Sequence, residues 1–367
     1  MNIKAIRMPK WGLAMEEGII VEWIAQEGDE ISEGDELMDI ETTKITNVLE
    51  ATNSGRLARV VAGAGEIKPV GALIGVLTVG EVSNEDIEAF IAASPATVVE
   101  DSEEGLEADA LNTETITVGN LALNVATVGS GTPVVLLHGF SGDFNNWLFV
   151  IEGLKGAAKI IAPDLPGHGS SSKDVGDGSI KSFADAVVGV LKSLDITETI
   201  VVGHSFGGAV AMQLALDHPG LVSQLGLICP AGLPGGTLDE TFLTAIVEAE
   251  KVREVKKALQ PLVKNSDAIS RDMVNGVTRA IRIDGARDAL GRIKEQMLKG
   301  PELGGLKARL ADLPPTTVIA SRHDRIVGVP DATALPDDWS IFWIEDAGHL
   351  PHLEAATEVN SILRSLI

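Results

Sequence analysis

The chain has 367 residues, with 53 Asp and Glu against 29 Lys and Arg and a formal net charge of −24 at pH 7. That balance repels phosphate backbones and anionic lipid, so no nucleic acid and no membrane surface is expected as a partner. The single cysteine, Cys229, excludes an intramolecular disulfide and a cysteine-based metal cluster, and no metal is expected.

Hydrophobic residues make up 45%, yet no run approaches the ~20 apolar residues that a bilayer span needs. The first twenty residues lack an apolar stretch and a small-residue cleavage site, so a cytoplasmic location is expected. Length alone points to two globular units, one small and one of enzyme size.

Residues 1–80 alternate short apolar runs with glycines, as in "GIIVEWIAQEGDEI", "ELMDIETTK" and "GALIGVLTVG", the pattern of a small all-β unit with closely spaced turns. Gly28 and Gly34 stand before the run 37–40, and Gly65 and Gly71, at the same spacing, before the run 73–78. This weak repeat predicts two similar halves packed face to face. Lys44 sits near a bend in "DIETTKITNVLEA" of the first half, and the second half has no equivalent.

Residues 81–113 carry many carboxylates and no Lys or Arg, with one short helical pattern at 85–92. Such a stretch cannot bury enough apolar surface to offset its ordering entropy, so a flexible linker is expected, with an r.m.s. span of roughly 30 Å.

From 114 to 367 the strand runs "TPVVLLHG", "AKIIAPDLPG", "TIVVGHS", "VSQLGLICP", "TTVIASRHD" and "WSIFWIEDAGH" alternate with helical patterns, which predicts a mainly parallel sheet covered by helices. Between about 235 and 300 the strand runs stop and helical periodicity takes over, as in a helical cap. Residues 251–299 hold twelve Lys or Arg against six Asp or Glu, a basic island in an acidic chain. Its Arg253, Lys256 and Lys257 are candidates for docking an anion or the acidic N-terminal unit; solvated outer faces of amphipathic helices are the plainer reading.

The stretch "VVGHSFGGAVAMQLAL" places Ser205 between an apolar strand and a helix, inside a G-x-S-x-G pattern. The strained turn needs glycines where the backbone crosses closely, and it sets the serine at a helix N-terminus. There the N–H of Phe206, with that of Phe140 in "LLHGFSG", would stabilise a developing oxyanion. A serine hydroxyl is a weak nucleophile without an acid and a histidine to activate it. Asp324 in "SRHDRIV" and His349 in "EDAGH" follow in the required order. His138, His168, His204 and His352 read as turn, loop or packing histidines, Asp164 as a structural loop acid, and Cys229 as an inert core residue.

Over about 250 residues this part resembles the α/β-hydrolase family, through "HGF", "DLPGHGSS", "GHSFGG", "HDRIV" and "AGHLPHLE" in the family's order. Residues 1–80 in turn resemble the lipoyl domains of 2-oxoacid dehydrogenase complexes, whose matching lysine carries lipoate in amide linkage. The resemblance implies a flattened β-sandwich with Lys44 as the attachment site. Lipoyl domains often have an acid before the lysine; this chain has Thr43. The rival biotinyl domains usually set the lysine between methionines, whereas Thr43 and Ile45 flank Lys44 here.

Together the halves resemble the acyltransferase component of bacterial acetoin dehydrogenase complexes. That resemblance implies transfer of acetyl from dihydrolipoyl sulfur to coenzyme A. It also implies a thiamine-diphosphate-dependent dehydrogenase that loads the arm, an FAD-dependent dihydrolipoyl dehydrogenase that reoxidises it, and a lipoate ligase or lipoyl transferase that attaches the cofactor. No histidine is followed by Asp four residues on, so the H-x-x-x-D-G motif of ordinary acyltransferase cores is missing. Two other readings stay open: an esterase or thioesterase bearing a lipoyl domain, and a non-catalytic lipoyl carrier and scaffold.

Overall fold

The computed structural model describes residues 3–9, 17–32, 34–41, 46–51, 53–80, 82–92 and 111–367. The chain divides into two units, Met1–Glu103 and Glu104–Ile367.

The first unit has eight short strands: β1 (Ile3–Arg7), β2 (Glu17–Trp23), β3 (Glu30–Ile31), β4 (Glu36–Glu41), β5 (Thr46–Glu50), β6 (Gly55–Val60), β7 (Ile67–Pro69) and β8 (Leu73–Thr78). They form two antiparallel sheets of order β1-β8-β6-β3 and β5-β4-β2-β7. Ile20, Met38 and Ile40 from one sheet meet Leu57 and Ile74 from the other in a single buried core. The glycine repeat is the trace of a two-fold arrangement. Gly28 and Gly65 both take positive φ, which a side chain would strain. The Gly28 N–H donates to Leu57 O and the Gly65 N–H to Ile20 O, each at 2.7 Å, so each half closes a turn on the other half's backbone.

The β4–β5 hairpin is paired as far as Glu41 and Thr46. The intervening residues 42–45, Lys44 among them, lie outside the described residues. Helix α1 (Asn84–Ala92), started by the Ser83 hydroxyl accepting from the Asp86 N–H at 3.1 Å, sets Ile87 against Leu73 and Val76. Most of the expected linker falls on residues 93–110, which also lie outside the described residues.

The second unit is built on an eight-stranded sheet. Its strands are β9 (Asn112–Val118), β10 (Leu121–Val128), β11 (Pro133–Leu137), β12 (Lys159–Pro163), β13 (Thr199–His204), β14 (Val222–Ile228), β15 (Thr316–Ser321) and β16 (Ser340–Ile344), in the order β16-β15-β14-β13-β11-β12-β10-β9. Strands β11 to β16 pair in parallel, while β9 and β10 form an antiparallel hairpin that the strand-run reading did not single out. The outer strand β9, "NTETITV", exposes most of its side chains and so carries little apolar signal. The central strands β13 and β15 are buried at every residue, which explains their continuous apolar runs.

Helices α2 (Leu148–Leu154), α3 (Ile180–Ser193) and α4 (Phe206–Asp217) follow β11, β12 and β13. Between Ile228 and Thr316 no strand interrupts α5 (Glu240–Glu248), α6 (Val252–Leu259), α7 (Arg271–Ala280), α8 (Ala286–Lys299) and α9 (Glu302–Lys307). Two helices, α10 (Pro351–Glu354) and α11 (Ala356–Arg364), end the chain. Phe183 of α3 and Phe206 of α4 share one core with Phe242, Val255 and Ile293 of the α5–α8 helices. Val150 of α2 and Val359 of α11 fill the opposite face of the sheet. No helix among the described residues is long and apolar enough to cross a membrane.

Candidate active site

Every candidate residue of the second unit's site stands just beyond the carboxyl end of a parallel strand, the edge where open α/β sheets gather their ligands. Phe140 follows β11, Ser205 follows β13, Asp324 follows β15 and His349 follows β16.

Ser205 is the residue between β13 and α4 and takes φ 54° and ψ −117°, a conformation that side-chain-bearing residues rarely adopt. Four backbone hydrogen bonds hold it there. Its N–H donates to Ile228 O at 3.0 Å, and its carbonyl accepts from Gly208, Ala209 and Ala231 at 3.0 to 3.3 Å. A Cβ at Gly203 would strike the Gly207 carbonyl, and one at Gly207 would strike those of Leu137 and His138. These crossings are why the turn needs its two glycines. Among the described residues no hydrogen bond uses the N–H of Phe206 or Phe140. A Cβ on Gly139, next to Phe140, would lie 3.2 Å from the Ser205 Cβ, so the β11 loop touches the serine turn.

Asp324 and His349 are brought together. The His349 Nδ1–H donates to Asp324 Oδ2 at 2.8 Å, with both residues buried. The other carboxylate oxygen, Oδ1, accepts from the N–H groups of Ile326 and Val327 at 2.8 and 3.1 Å. Burial pushes the Asp324 carboxyl upward. The neighbouring His349 and these three hydrogen bonds outweigh it and hold the group below the usual carboxylate range.

Ser205 Oγ makes no hydrogen bond to His349 among the described residues; the link runs through the adjacent His204 instead. Its Nε2–H donates to the His349 carbonyl at 2.8 Å, and the two rings lie 4.7 Å apart. Burial, then the nearby His352 and His349, keeps His204 neutral by moving its pKa well down.

His138 and Asp164 brace the loops, whereas the buried His352 ring in α10 has no hydrogen-bond partner among the described residues. His138 accepts at Nε2 from the Leu165 N–H and donates from Nδ1 to Gly139 O, both at 2.9 Å. Asp164 accepts from Phe144 N–H, Asn124 Nδ2 and Ser170 N–H at 2.8 to 2.9 Å.

Two contacts were not legible in the sequence. Cys229, directly after β14, is buried as expected of a core residue. Its Sγ, a carboxylate oxygen of Asp324 and a ring nitrogen of His349 nevertheless all lie within 4.8 Å of one another. That spacing would suit three metal ligands, but Asp324 Oδ2 and His349 Nδ1 are engaged with each other. The second contact is the Leu262 carbonyl, which accepts from the His349 N–H at 2.7 Å and ties the segment after α6 to the histidine loop.

Arg253, Lys256 and Lys257 are exposed on α6. For Lys44, the fit to a lipoyl group rests on the two-fold sandwich and on its position between paired strands β4 and β5.

Comparison with known proteins agrees with this division. Residues 134–362 match the alpha/beta hydrolase family and residues 4–77 the family described as biotin-requiring enzymes. The chain is 36% identical to the dihydrolipoyllysine-residue acetyltransferase component of the acetoin cleaving system of Cupriavidus necator, over 99% of this chain and 97% of the relative. It is 35% identical to the protein of the same description from Pseudomonas putida, over 98% and 97%. Among solved structures, a meta-cleavage product hydrolase from Pseudomonas fluorescens is similar with a TM-score of 0.60 at 22% identity, covering 69% of this chain and 96% of that one, a likeness of fold alone. The chain belongs to the family of dihydrolipoyllysine-residue acetyltransferase components of acetoin cleaving systems, with an α/β-hydrolase-fold unit behind a biotin/lipoyl-type domain.

Proposed function

We infer that this chain moves an acetyl group from a dihydrolipoyl thioester on Lys44 to coenzyme A, with Ser205, His349 and Asp324 as the catalytic set. The observation that carries the reading is the buried Asp324–His349 pair beside a strained serine turn, in a chain related over nearly its whole length to acetyltransferases. Lipoate in amide linkage on Lys44 would supply a dithiolane that, in its reduced dihydrolipoyl form, could carry acetyl as a thioester on one sulfur.

Ser205 Oγ attacks the thioester carbonyl carbon while His349 takes its proton at Nε2. The N–H groups of Phe140 and Phe206 hold the negative oxygen of the tetrahedral adduct. As the carbon–sulfur bond breaks, His349 returns the proton to the departing sulfur. Asp324 keeps the ring proton on Nδ1 throughout, so Nε2 is free to work as base and then as acid. His349 next takes the proton of the coenzyme A thiol, whose sulfur attacks the acyl-serine carbonyl carbon; as the ester carbon–oxygen bond breaks, His349 returns that proton to Ser205 Oγ, giving acetyl-coenzyme A and the free hydroxyl.

The arm's tether holds the donor at an effective concentration on the order of millimolar, so tight binding is not required. In this scheme a thiamine-diphosphate-dependent dehydrogenase loads the arm, an FAD-dependent dihydrolipoyl dehydrogenase reoxidises it, a lipoate ligase or lipoyl transferase modifies Lys44, and the assembly works in the cytoplasm. Product analysis with acetyl-dihydrolipoamide tests the reading. Acetyl-coenzyme A formed in preference to acetate supports transfer; acetate at an undiminished rate with coenzyme A present makes the chain a thioesterase.

A further inference from the structure

Part of the basic island is engaged with neighbouring groups. Lys264 holds Glu345 O and Asp346, Arg282 holds Glu250 O, Arg292 holds Gly176 O, and Lys299 pairs with Glu295. These cations hold the α5–α8 helices and adjoining loops in place. Among the described residues Lys251, Arg271 and Arg279 make no such contact, and neither do Arg253, Lys256 and Lys257, which lie together on α6. Standing three and four residues apart, they share one exposed face of α6, opposite the buried Val255, Ala258 and Leu259. No ion pair or hydrogen bond engages their side chains among the described residues. The helix has one acid, Glu254, and its carboxylate is turned back onto the N–H groups of Glu250 and Lys251 at 3.0 and 3.1 Å. Three cations therefore stand together on a protein of net charge −24, with Glu254, next to Arg253, as the one acid of their helix.

Their place in the fold gives the patch its meaning. Helix α6 runs through Gln260–Leu262 to the carbonyl that accepts the His349 N–H. Just beyond, the Lys264 N–H donates to Glu354 Oε1 at 2.8 Å, and the Gly348 N–H donates to Glu354 Oε2 at 2.7 Å. The C-terminal end of α6 is thus fastened to the loop that carries the histidine. At 1.5 Å of rise per residue, Lys256 and Lys257 stand roughly 10 Å along the helix from that fastening.

We propose that Arg253, Lys256 and Lys257 bind the phosphate groups of the coenzyme A acceptor while its thiol reaches His349. The proposal rests on the acetyl-transfer reading above. Coenzyme A has its thiol at one end of a long arm and all its phosphates at the other, so an acceptor with its thiol at the histidine must leave the anionic end outside. A cluster of unpaired cations beside the histidine loop suits that end, and it gives an anion one favourable approach to a repelling surface.

The test uses the full chain and the triple variant Arg253→Gln, Lys256→Gln, Lys257→Gln, with acetyl-dihydrolipoamide as donor and either coenzyme A or pantetheine, which lacks the phosphates, as acceptor. The expected result is a fall on the order of tenfold in the preference for coenzyme A over pantetheine, read as the ratio of their KM values. The preference of the parent should also weaken as salt rises. An unchanged ratio overturns the proposal. So does an effect seen only with acetyl carried on Lys44, which would make the patch a surface for the acidic carrier. Calorimetry with coenzyme A and no donor separates this proposal from the reading beneath it. Equal Kd for parent and variant overturns the phosphate site, whereas tighter binding by the parent, with acetate as the only product, retains the site and refutes the transferase.

Discussion

Replacing Asp324 with asparagine changes one atom and tests the acid-base pair without emptying the site. Oδ1 of the native carboxylate is pinned by the N–H groups of Ile326 and Val327 at 2.8 and 3.1 Å, so the oxygen of an amide must stay on that side. Its NH₂ group then faces His349 Nδ1, which in the native protein donates at 2.8 Å. Two donors cannot face each other, so the ring proton moves to Nε2 and the nitrogen assigned as the base is blocked. The wrong tautomer should lower kcat about 10³- to 10⁴-fold, or about 4–5 kcal/mol of transition-state stabilisation. Losing one charge-assisted hydrogen bond should cost folding only about 1–3 kcal/mol. The assay is acetyl-coenzyme A formation from acetyl-dihydrolipoamide, with thermal unfolding as a fold control. A folded Asp324→Asn protein working within tenfold of the parent would refute the assignment.

Three further outcomes follow from the same geometry. Gly207→Ala places a Cβ on the carbonyls of Leu137 and His138 and should cost about 3 kcal/mol or more of stability in a denaturant titration; a loss near zero would contradict the close crossing. His168 and His352 are fully buried, and desolvation lowers each pKa from 6.5 to about 3, so the unfolded chain binds more protons between those values and stability falls on acidification. Each should remove about 2 kcal/mol by pH 5, and His352→Leu should make the stability-against-pH curve shallower over that window; an unchanged slope would count against a buried neutral ring. Burial, then the Asp324 charge, raises the Cys229 thiol well above its usual range. It should resist a thiol reagent at pH 8 in the native protein and react once denaturant is added, and rapid native labelling would disagree.

What could be read from the sequence was whatever sits close along the chain or repeats. The spacing of Gly28 and Gly34, matched by Gly65 and Gly71, announced a two-fold sandwich because each positive-φ turn needs its own glycine. The serine turn was legible for a similar reason, since Gly203 and Gly207 answer to contacts within a few residues and with the neighbouring loop. Strand order was not legible, and neither were its consequences. Cys229 meets Asp324 because β14 and β15 pair in parallel, Ile228 opposite Ile319, so the residues just past their ends converge. No local pattern in "GLICP" carries that information. The role of Leu262 was hidden for the same reason: its carbonyl meets a histidine 87 positions later only after the helices between β14 and β15 fold back onto the sheet edge.

The central claim is that acetyl passes through a serine ester on this chain. The direct measurement is a rapid-quench reaction of the full protein with labelled acetyl-dihydrolipoamide, followed by peptide mapping. The account predicts label on the peptide that contains Ser205, absent in Ser205→Ala, and its discharge as acetyl-coenzyme A when the acceptor is added. An unlabelled Ser205 peptide, together with a Ser205→Ala protein that transfers acetyl at the parent rate, would contradict it.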